Sequence, residues 1–242
     1  MAELSALGAT GHRLVLFDRV EFYWYYRELG SAAFQVALVL TGQSFEEALA
    51  EGESLVHASR RFARLLRPEV WIIGNEWNVA NDASWPPGGD DGFIETFVAA
   101  AQGIRSIQPG AKLYVGGLYS QERIADRIGE VLPRIKESGV DVIDGIDLHL
   151  YDESEEQAVD ILENVRERFG TEVAMFEWNW SGPDRKIGEY QQKLNDLTDH
   201  SCWYCWSDGQ LPRHGLVTAD WREGKDEEKK DVYGEYQAAL RL

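Results

Sequence analysis

The chain has 242 residues, a length that fits one α/β barrel and does not require two domains. Hydrophobic residues make up 44% of it, as in a globular protein with a substantial core, and no apolar run approaches the length of a membrane span. The formal net charge of -18 argues against nucleic acid or an anionic membrane as a partner, because Lys and Arg are the residues that bind phosphate groups.

Runs rich in β-branched and aromatic residues recur along the chain and predict strands. They lie near 14–18, 35–40, 70–75, 112–117, 145–150, 172–177 and 202–206. Amphipathic segments predict helices, which we place at 46–66, 93–107, 155–169 and 226–241. Strands that alternate with helices over this length predict an α/β fold with a parallel sheet, a TIM (β/α)8-type barrel in one domain, 1–242.

Two of the predicted strands end in a glutamate with tryptophan beside it. Glu76 and Trp77 follow one strand, and Glu177 and Trp178 end another about a hundred residues later. Parallel barrels have their active sites at the C-terminal ends of the strands. Either glutamate alone would more often be a solvated loop residue, but a matched pair is what glycoside hydrolysis uses. The pair therefore predicts an enzyme that cleaves sugars.

The residues around these glutamates resemble motifs of the clan A superfamily of retaining glycoside hydrolases, which includes families 5, 39 and 53. Asn75-Glu76 is similar to the Asn-Glu pair that ends strand four there, and Glu177 is similar to the glutamate that ends strand seven. The resemblance covers nearly the whole chain. It implies that Glu76 is the acid/base and Glu177 the nucleophile of a double displacement, with Asn75 suited to bind the sugar 2-hydroxyl.

Weaker matches occur in the same order as in the superfamily. Arg19 looks like the arginine that ends strand two, and Trp206 looks like the aromatic platform that ends strand eight. His149 and Tyr151 are similar to the His-x-Tyr motif of strand six, whose tyrosine usually contacts the nucleophile. The resemblance makes all four substrate-binding candidates. Tryptophan rings just after strand ends could also stack on sugar faces, which adds Trp77, Trp85, Trp178 and Trp180.

The N-terminal part of the pattern departs from the superfamily. Two predicted strands precede Asn75-Glu76, where the superfamily has three, so the first βα unit is expected to be incomplete and seven strands are evident. A barrel without that strand has two unpaired edges. We therefore expect either self-association or closure of the barrel by a missing N-terminal segment.

Two other functions stay open at this stage. Glu76, His149, Glu177 and Asp208 could converge on a divalent metal ion, as in barrel-type sugar isomerases. The chain could also be a carbohydrate-binding barrel without catalysis. Our expectation is a hydrolase with a carbohydrate substrate and no metal or other cofactor. No signal peptide is recognisable, so the expected location is cytoplasmic by default, or secreted if a leader was removed.

Overall fold

The computed structural model describes residues 11–16, 23, 26–27, 35–79, 85–119, 124–151, 153–178, 192–194 and 196–203. Its strands are β1 (Gly11–Val15), β2 (Gln35–Leu40), β3 (Val70–Ile73), β4 (Lys112–Tyr119), β5 (Gly145–Leu150), β6 (Glu172–Trp178) and β7 (His200–Trp203). Its helices are α1 (Gly42–Ala50), α2 (Leu55–Leu65), α3 (Gly89–Arg105), α4 (Ile124–Glu137) and α5 (Glu155–Phe169). No helix among these residues is long and apolar enough to cross a membrane.

The chain divides into two compact units. The first unit is Thr10–Asp147, and the second combines Met1–Ala9 with Leu148–Leu242, so the division passes through β5. The predicted single domain 1–242 stays a prediction. The predicted self-association and the incomplete first βα unit also stay predictions.

Strands β1 to β4 of the first unit pair in chain order, and every pair is parallel. Leu38 lies opposite Trp71, and Trp71 lies opposite Leu113, so apolar side chains follow one another across the strands. Helices connect β2 to β3 and β3 to β4, as parallel pairing requires. Both sides of β2, β3 and β4 are buried, which explains their largely apolar sequences.

The single helix predicted at 46–66 is wrong, because two helices occupy that region. Helix α1 ends in a Schellman motif, in which Gly52 has a φ of 78°. The N–H of Gly52 donates to Leu49 O and that of Glu53 to Ala48 O, at 3.1 and 2.8 Å. Ser54 then caps α2 by accepting a hydrogen bond from the His57 N–H. A stop signal and a start signal thus stand side by side within one amphipathic pattern.

The other predicted elements differ from the structure mainly at their ends. Strands β2 and β5 and helix α5 have the predicted bounds. Strands β1 and β7 begin earlier than predicted, and α3 begins four residues earlier, with Gly88 as its N-cap. Helix α4 was not predicted and contains Pro133. The predicted helix at 226–241 lies outside the described residues.

In the second unit, β6 and β7 pair in parallel, with a register irregularity between Met175 and Trp178. Helix α5 precedes them and begins with a capping box, in which Ser154 and Gln157 bond each other's backbone N–H groups. Gly170 ends the helix in the left-handed conformation, with φ of 59°. These two end signals are local, which explains why the bounds of α5 could be predicted from the sequence.

Candidate active site

The predicted site residues that the structure describes all lie at or just beyond the C-terminal ends of strands. Asn75, Glu76 and Trp77 follow β3 in the first unit; His149 lies near the end of β5, Tyr151 follows it, and Glu177 and Trp178 end β6 in the second unit. The candidates Arg19, Trp180 and Trp206 lie outside the described residues.

The backbone at Glu76 is in an uncommon conformation. Glu76 has a φ of 46°, which makes it the one non-glycine residue with positive φ in the described part of the chain. This left-handed conformation costs an L-residue roughly 1 kcal/mol or more. A hydrogen bond of 2.5 Å from the Glu76 N–H to Gly117 O holds the turn, and Glu76 itself is only 9% exposed. A strained, largely buried carboxylic acid at a strand end is typical of a functional site.

Gly117 on β4 allows this turn to lie close to its neighbouring strand. A Cβ added at Gly117 would lie 2.7 Å from the Asn75 Cα, and its φ of 59° also favours glycine. The N–H of Gly117 donates to Asp147 Oδ2 at 3.3 Å, and Asp147 is fully buried. Asp147 therefore supports, through Gly117, the backbone that holds Glu76.

A second backbone contact fixes the residue before the glutamate. Asn75 and Trp85 form an isolated antiparallel bridge, in which each N–H donates to the other residue's carbonyl, at 2.9 and 2.8 Å. Asn75 remains partly exposed, as does Trp85. The bridge places an aromatic residue beside the Asn75-Glu76 pair.

Trp77 is held by protein groups, and only 3% of it is exposed. Its ring stacks on Phe93 with centroids 4.0 Å apart and planes 7° from parallel, and its Nε1–H donates to Gly116 O at 3.1 Å. The Arg127 guanidinium lies 5.3 Å from the ring centroid. The predicted contact between Trp77 and substrate stays a prediction. The contacts present in the structure hold the turn that carries Glu76.

Asn78 closes the turn on the side of β4. Its side chain bonds both backbone groups of Tyr119: Nδ2 donates to Tyr119 O at 2.7 Å, and Oδ1 accepts from Tyr119 N at 2.9 Å. The Asn78 carbonyl accepts from Arg127 Nη1 at 2.7 Å. Two further nitrogens of Arg127 donate to Asp90 Oδ1, at 2.9 and 2.7 Å. Arg127 thus links helices α3 and α4 to the backbone two residues beyond Glu76.

Sequence reasoning did not find Asn78, Asp147 or Arg127. Arg127 bonds Asp90, 37 positions away in the sequence, and Asp147 bonds Gly117, 30 positions away. No local sequence pattern indicates pairs so far apart. Asn78 carried a weak signal, because an Asn soon after a strand often bonds neighbouring backbone groups.

In the second unit, the rings of His149 and Tyr151 meet edge to face, with centroids 6.0 Å apart and planes at 75°. His149 is completely buried, whereas Tyr151 is partly exposed. In the His-x-Tyr motif, a buried histidine therefore packs against a partly exposed tyrosine. Tyr151 directly follows the C-terminal end of β5.

No group of three or more His, Cys, Asp or Glu side chains within the described ranges is arranged to hold a metal ion. Asp208, the fourth member of the metal set considered from the sequence, lies outside those ranges.

Comparison with protein-family models gives no match, and no curated protein matches in sequence. Solved structures do match. The beta-glycosidase BGL167 has a TM-score of 0.70 at 13% identity, over 99% of this chain and 84% of its own. A GH39 beta-xylosidase from Caulobacter crescentus scores 0.63 at 14% identity, over 95% and 71%. A GH128 endo-beta-1,3-glucanase from Amycolatopsis mediterranei scores 0.66 at 16% identity, over 98% and 93%.

The fold is similar to that of these solved glycosidases, which are clan A enzymes. The predicted resemblance and the predicted α/β fold class of the TIM-barrel type are therefore confirmed. These solved structures share only 10 to 16% sequence identity with this chain, so the likeness concerns the fold. The reaction has to be argued from the site.

Proposed function

We propose that this chain is a retaining glycoside hydrolase that cleaves O-glycosidic bonds of an oligo- or polysaccharide. Glu76 is the acid/base and Glu177 the nucleophile. The substrate is a neutral or weakly charged β-linked glycan, since a net charge of -18 repels polyanionic sugars. No metal or other cofactor takes part in this reaction.

The observation that carries the proposal is the turn at Glu76. A residue with φ of 46° persists only where its surroundings impose that conformation, and here Gly117, Trp85 and Tyr119 all form hydrogen bonds with the short segment 75–78. Rigid support of this kind keeps a carboxylic acid in one orientation, as proton transfer to a leaving oxygen requires.

The reaction has two steps. Glu177 attacks the anomeric carbon while Glu76 donates a proton to the departing oxygen, which leaves a glycosyl ester on Glu177 and an alcohol product. Glu76, now a carboxylate, takes a proton from water, and the resulting nucleophile attacks the same carbon and releases Glu177. Two inversions give net retention. The mechanism requires the two carboxyl groups to be about 5 Å apart.

The other site residues have supporting roles in this scheme. Asn75 binds the sugar 2-hydroxyl, a hydrogen bond that strengthens in the transition state. Tyr151 donates to Glu177 and favours its ionised form. Arg19 and His149 help to bind the sugar and Trp206 supplies a stacking surface, as the resemblance implies. Trp178 and Trp180 supply further stacking surfaces, because they follow a strand end.

The GH128 glucanase supports the assignment of a glutamate pair. Two of its structures each carry one glutamate-to-alanine substitution, at positions about a hundred residues apart, and each contains laminari-oligosaccharides. Glu76 and Glu177 have nearly the same separation here. An alanine at either position that spares sugar binding is what the proposal expects of this chain.

The test is a screen of aryl β-glycosides and of cello-, xylo- and laminari-oligosaccharides, with the first-formed anomer followed by NMR. Net retention is expected. In Glu177→Ala, added azide should attack directly and give a glycosyl azide of inverted configuration. In Glu76→Ala, azide should intercept the glycosyl-enzyme formed from an activated aryl glycoside and give the retained azide.

Glu69→Gln is the matched control, since Glu69 is exposed at the opposite end of β3. It should hydrolyse as the parent does. Inverted products from the parent chain, or full turnover in Glu76→Ala, would reject the assigned roles. Activity removed by EDTA and restored by a divalent metal would favour the isomerase alternative. Sugar binding without turnover in the parent chain would favour the binding barrel.

A further inference from the structure

Trp85 differs from Trp77 in what its ring contacts. The Trp85 ring stacks on Phe45, with centroids 5.4 Å apart and planes 20° from parallel. Phe45 lies in helix α1 and is completely buried, whereas Trp85 is partly exposed. One side of the Trp85 ring is therefore anchored in the core, and part of the residue remains accessible.

The position of Trp85 is fixed by its backbone as well as by its ring. Its backbone forms two hydrogen bonds with Asn75, at 2.9 and 2.8 Å, and Asn75 is the residue directly before Glu76. Gly42 lies against the indole: a Cβ added there would be 2.8 Å from Cδ1 and 3.2 Å from Nε1. The ring thus lies at the C-terminal ends of both β2 and β3.

We propose that Trp85 is the aromatic platform for a sugar ring beside the scissile bond, and that Gly42 is glycine because the platform needs that space. This proposal rests on the proposed function and adds a substrate-contacting residue to it. A flat, pre-positioned indole binds the C–H face of a pyranose at little entropic cost. Trp77, with its ring held by protein, has no comparable accessible surface.

The ligand class follows from the shape of the platform. A partly exposed tryptophan next to a partly exposed asparagine, Asn75, suits a ring with an apolar face and hydroxyls at its edge. β-Linked pyranosides have this amphipathic form. Trp85 therefore contributes to the affinity for the sugar, whereas Glu76 contributes to the chemical step.

The experiment uses the oligosaccharide that the parent chain hydrolyses fastest among cello-, xylo- and laminaritriose. Its Kd is measured by calorimetry in the background of Glu76→Gln, and its KM and kcat in the otherwise unaltered chain. Trp85→Ala should raise Kd and KM about ten-fold or more, and Trp85→Phe should recover part of this loss. The value of kcat at saturation should change much less than KM.

Gly42→Ala tests the same platform without removing it, because the new methyl group must displace the indole. It should also raise KM. Gly110→Ala is the matched control, since a Cβ there meets nothing within 4 Å. Unchanged Kd in both Trp85→Ala and Gly42→Ala would overturn the proposal, even if hydrolysis is observed. Absence of hydrolysis in the parent chain would instead reject the proposed function.

A purely structural role for Trp85 gives a different result. Loss of the Phe45 contact would then lower the melting temperature of Trp85→Ala and leave the Kd of the folded protein at its parent value. A raised Kd that Trp85→Phe partly restores, measured well below the melting temperature of each variant, is expected only if sugar contacts the ring.

Discussion

The indole of Trp77 lies flat on the ring of Phe93, with centroids 4.0 Å apart and planes 7° from parallel. Phe93 lies near the N-terminus of helix α3, which begins at Gly89. Trp77 directly follows Glu76 in the sequence. The stack therefore connects the position of the proposed acid/base to a helix in the core. Displacement of this helix would be transmitted to Glu76 by one peptide unit.

The effect of this stack can be separated from ordinary core packing with two substitutions in α3. Phe93 and Phe97 are both completely buried and contact each other, with centroids 5.8 Å apart. Phe93→Leu and Phe97→Leu should each lower the free energy of unfolding by about 1–2 kcal/mol, measured by urea denaturation. Only Phe93→Leu should also lower kcat, by about ten-fold, because it releases Trp77. Equal effects on kcat would contradict this role.

The sequence predicts the elements well where the signals are local. Helix α5 has a capping box and a terminal Gly170, and β5 alternates the apolar residues Ile146, Leu148 and Leu150 with other residues, so both have their predicted bounds. The prediction of a single helix at 46–66 failed for a physical reason. Hydrophobic periodicity continues across Gly52 and Ser54, although Gly52 ends helix α1 and Ser54 begins helix α2. Periodicity detects a buried face and is insensitive to a short break in it.

The close approach of β4 to the turn that carries Glu76 gives a prediction with a well-matched control. Gly117 and Gly170 both have φ of 59°, but a Cβ at Gly117 would lie 2.7 Å from the Asn75 Cα, whereas one at Gly170 would meet nothing within 4 Å. Alanine at either position carries a similar backbone cost of about 1 kcal/mol. Gly117→Ala should in addition displace Asn75 and Glu76 and lower kcat about a hundred-fold.

Steady-state kinetics and urea denaturation of both variants check this expectation. Gly170→Ala should keep the parent kcat and lose a little stability. If Gly117→Ala retains the parent kcat, the hydrogen bond from Glu76 to Gly117 does not position the acid, and the importance given to this turn is mistaken.

The site itself was only partly predictable. Asn75 and Glu76 stand in a recognisable motif, so their place after β3 could be anticipated. The groups that hold them could not, because Asp147 and Arg127 bond segments 30 and 37 positions away. Such pairs form only when the fold brings helices and strands together, and either side chain alone looks like an ordinary surface charge.

Arg127 and Arg134 offer a comparison on one helix. Arg127 pairs with Asp90 and also bonds the Asn78 carbonyl, and its side chain is 31% exposed. Arg134 pairs with Asp91, and both of these side chains are more exposed, at 48% and 85%. Arg127→Met should lower the free energy of unfolding by about 1–3 kcal/mol, because it leaves the Asn78 carbonyl and the Asp90 carboxylate without this partner.

Arg134→Met should have little effect on stability, because exposed ion pairs contribute little. Thermal unfolding at 50 mM and 500 mM NaCl provides the check. Added salt should narrow the difference between Arg134→Met and the parent, and it should leave most of the loss in Arg127→Met. A similar, salt-sensitive loss in both variants would show that Arg127 acts only as a surface charge.

The Tyr26 hydroxyl should make the free energy of unfolding depend on pH in the alkaline range. Burial raises the pKa of the Tyr26 hydroxyl above its ordinary value of 10.0, and the hydrogen bond from the Arg67 N–H, at 3.0 Å, acts in the opposite direction and is the smaller effect. Because the folded protein holds this proton more tightly than the unfolded chain, the stabilisation is fully present below pH 10 and is lost as pH rises through the folded pKa. The free energy of unfolding should fall above pH 10, by at most about 1.4 kcal/mol per pH unit from this group.

Tyr26→Phe tests this dependence, because it removes the titrating hydroxyl and keeps the ring. Urea denaturation from pH 8 to pH 11 should give a steeper alkaline decline for the parent than for the variant, while absorbance at 295 nm follows tyrosine ionisation. At pH 8 the variant should be less stable by about 1 kcal/mol, since the Arg67 N–H loses its acceptor. Parallel declines for the two proteins would place the alkaline transition in other groups.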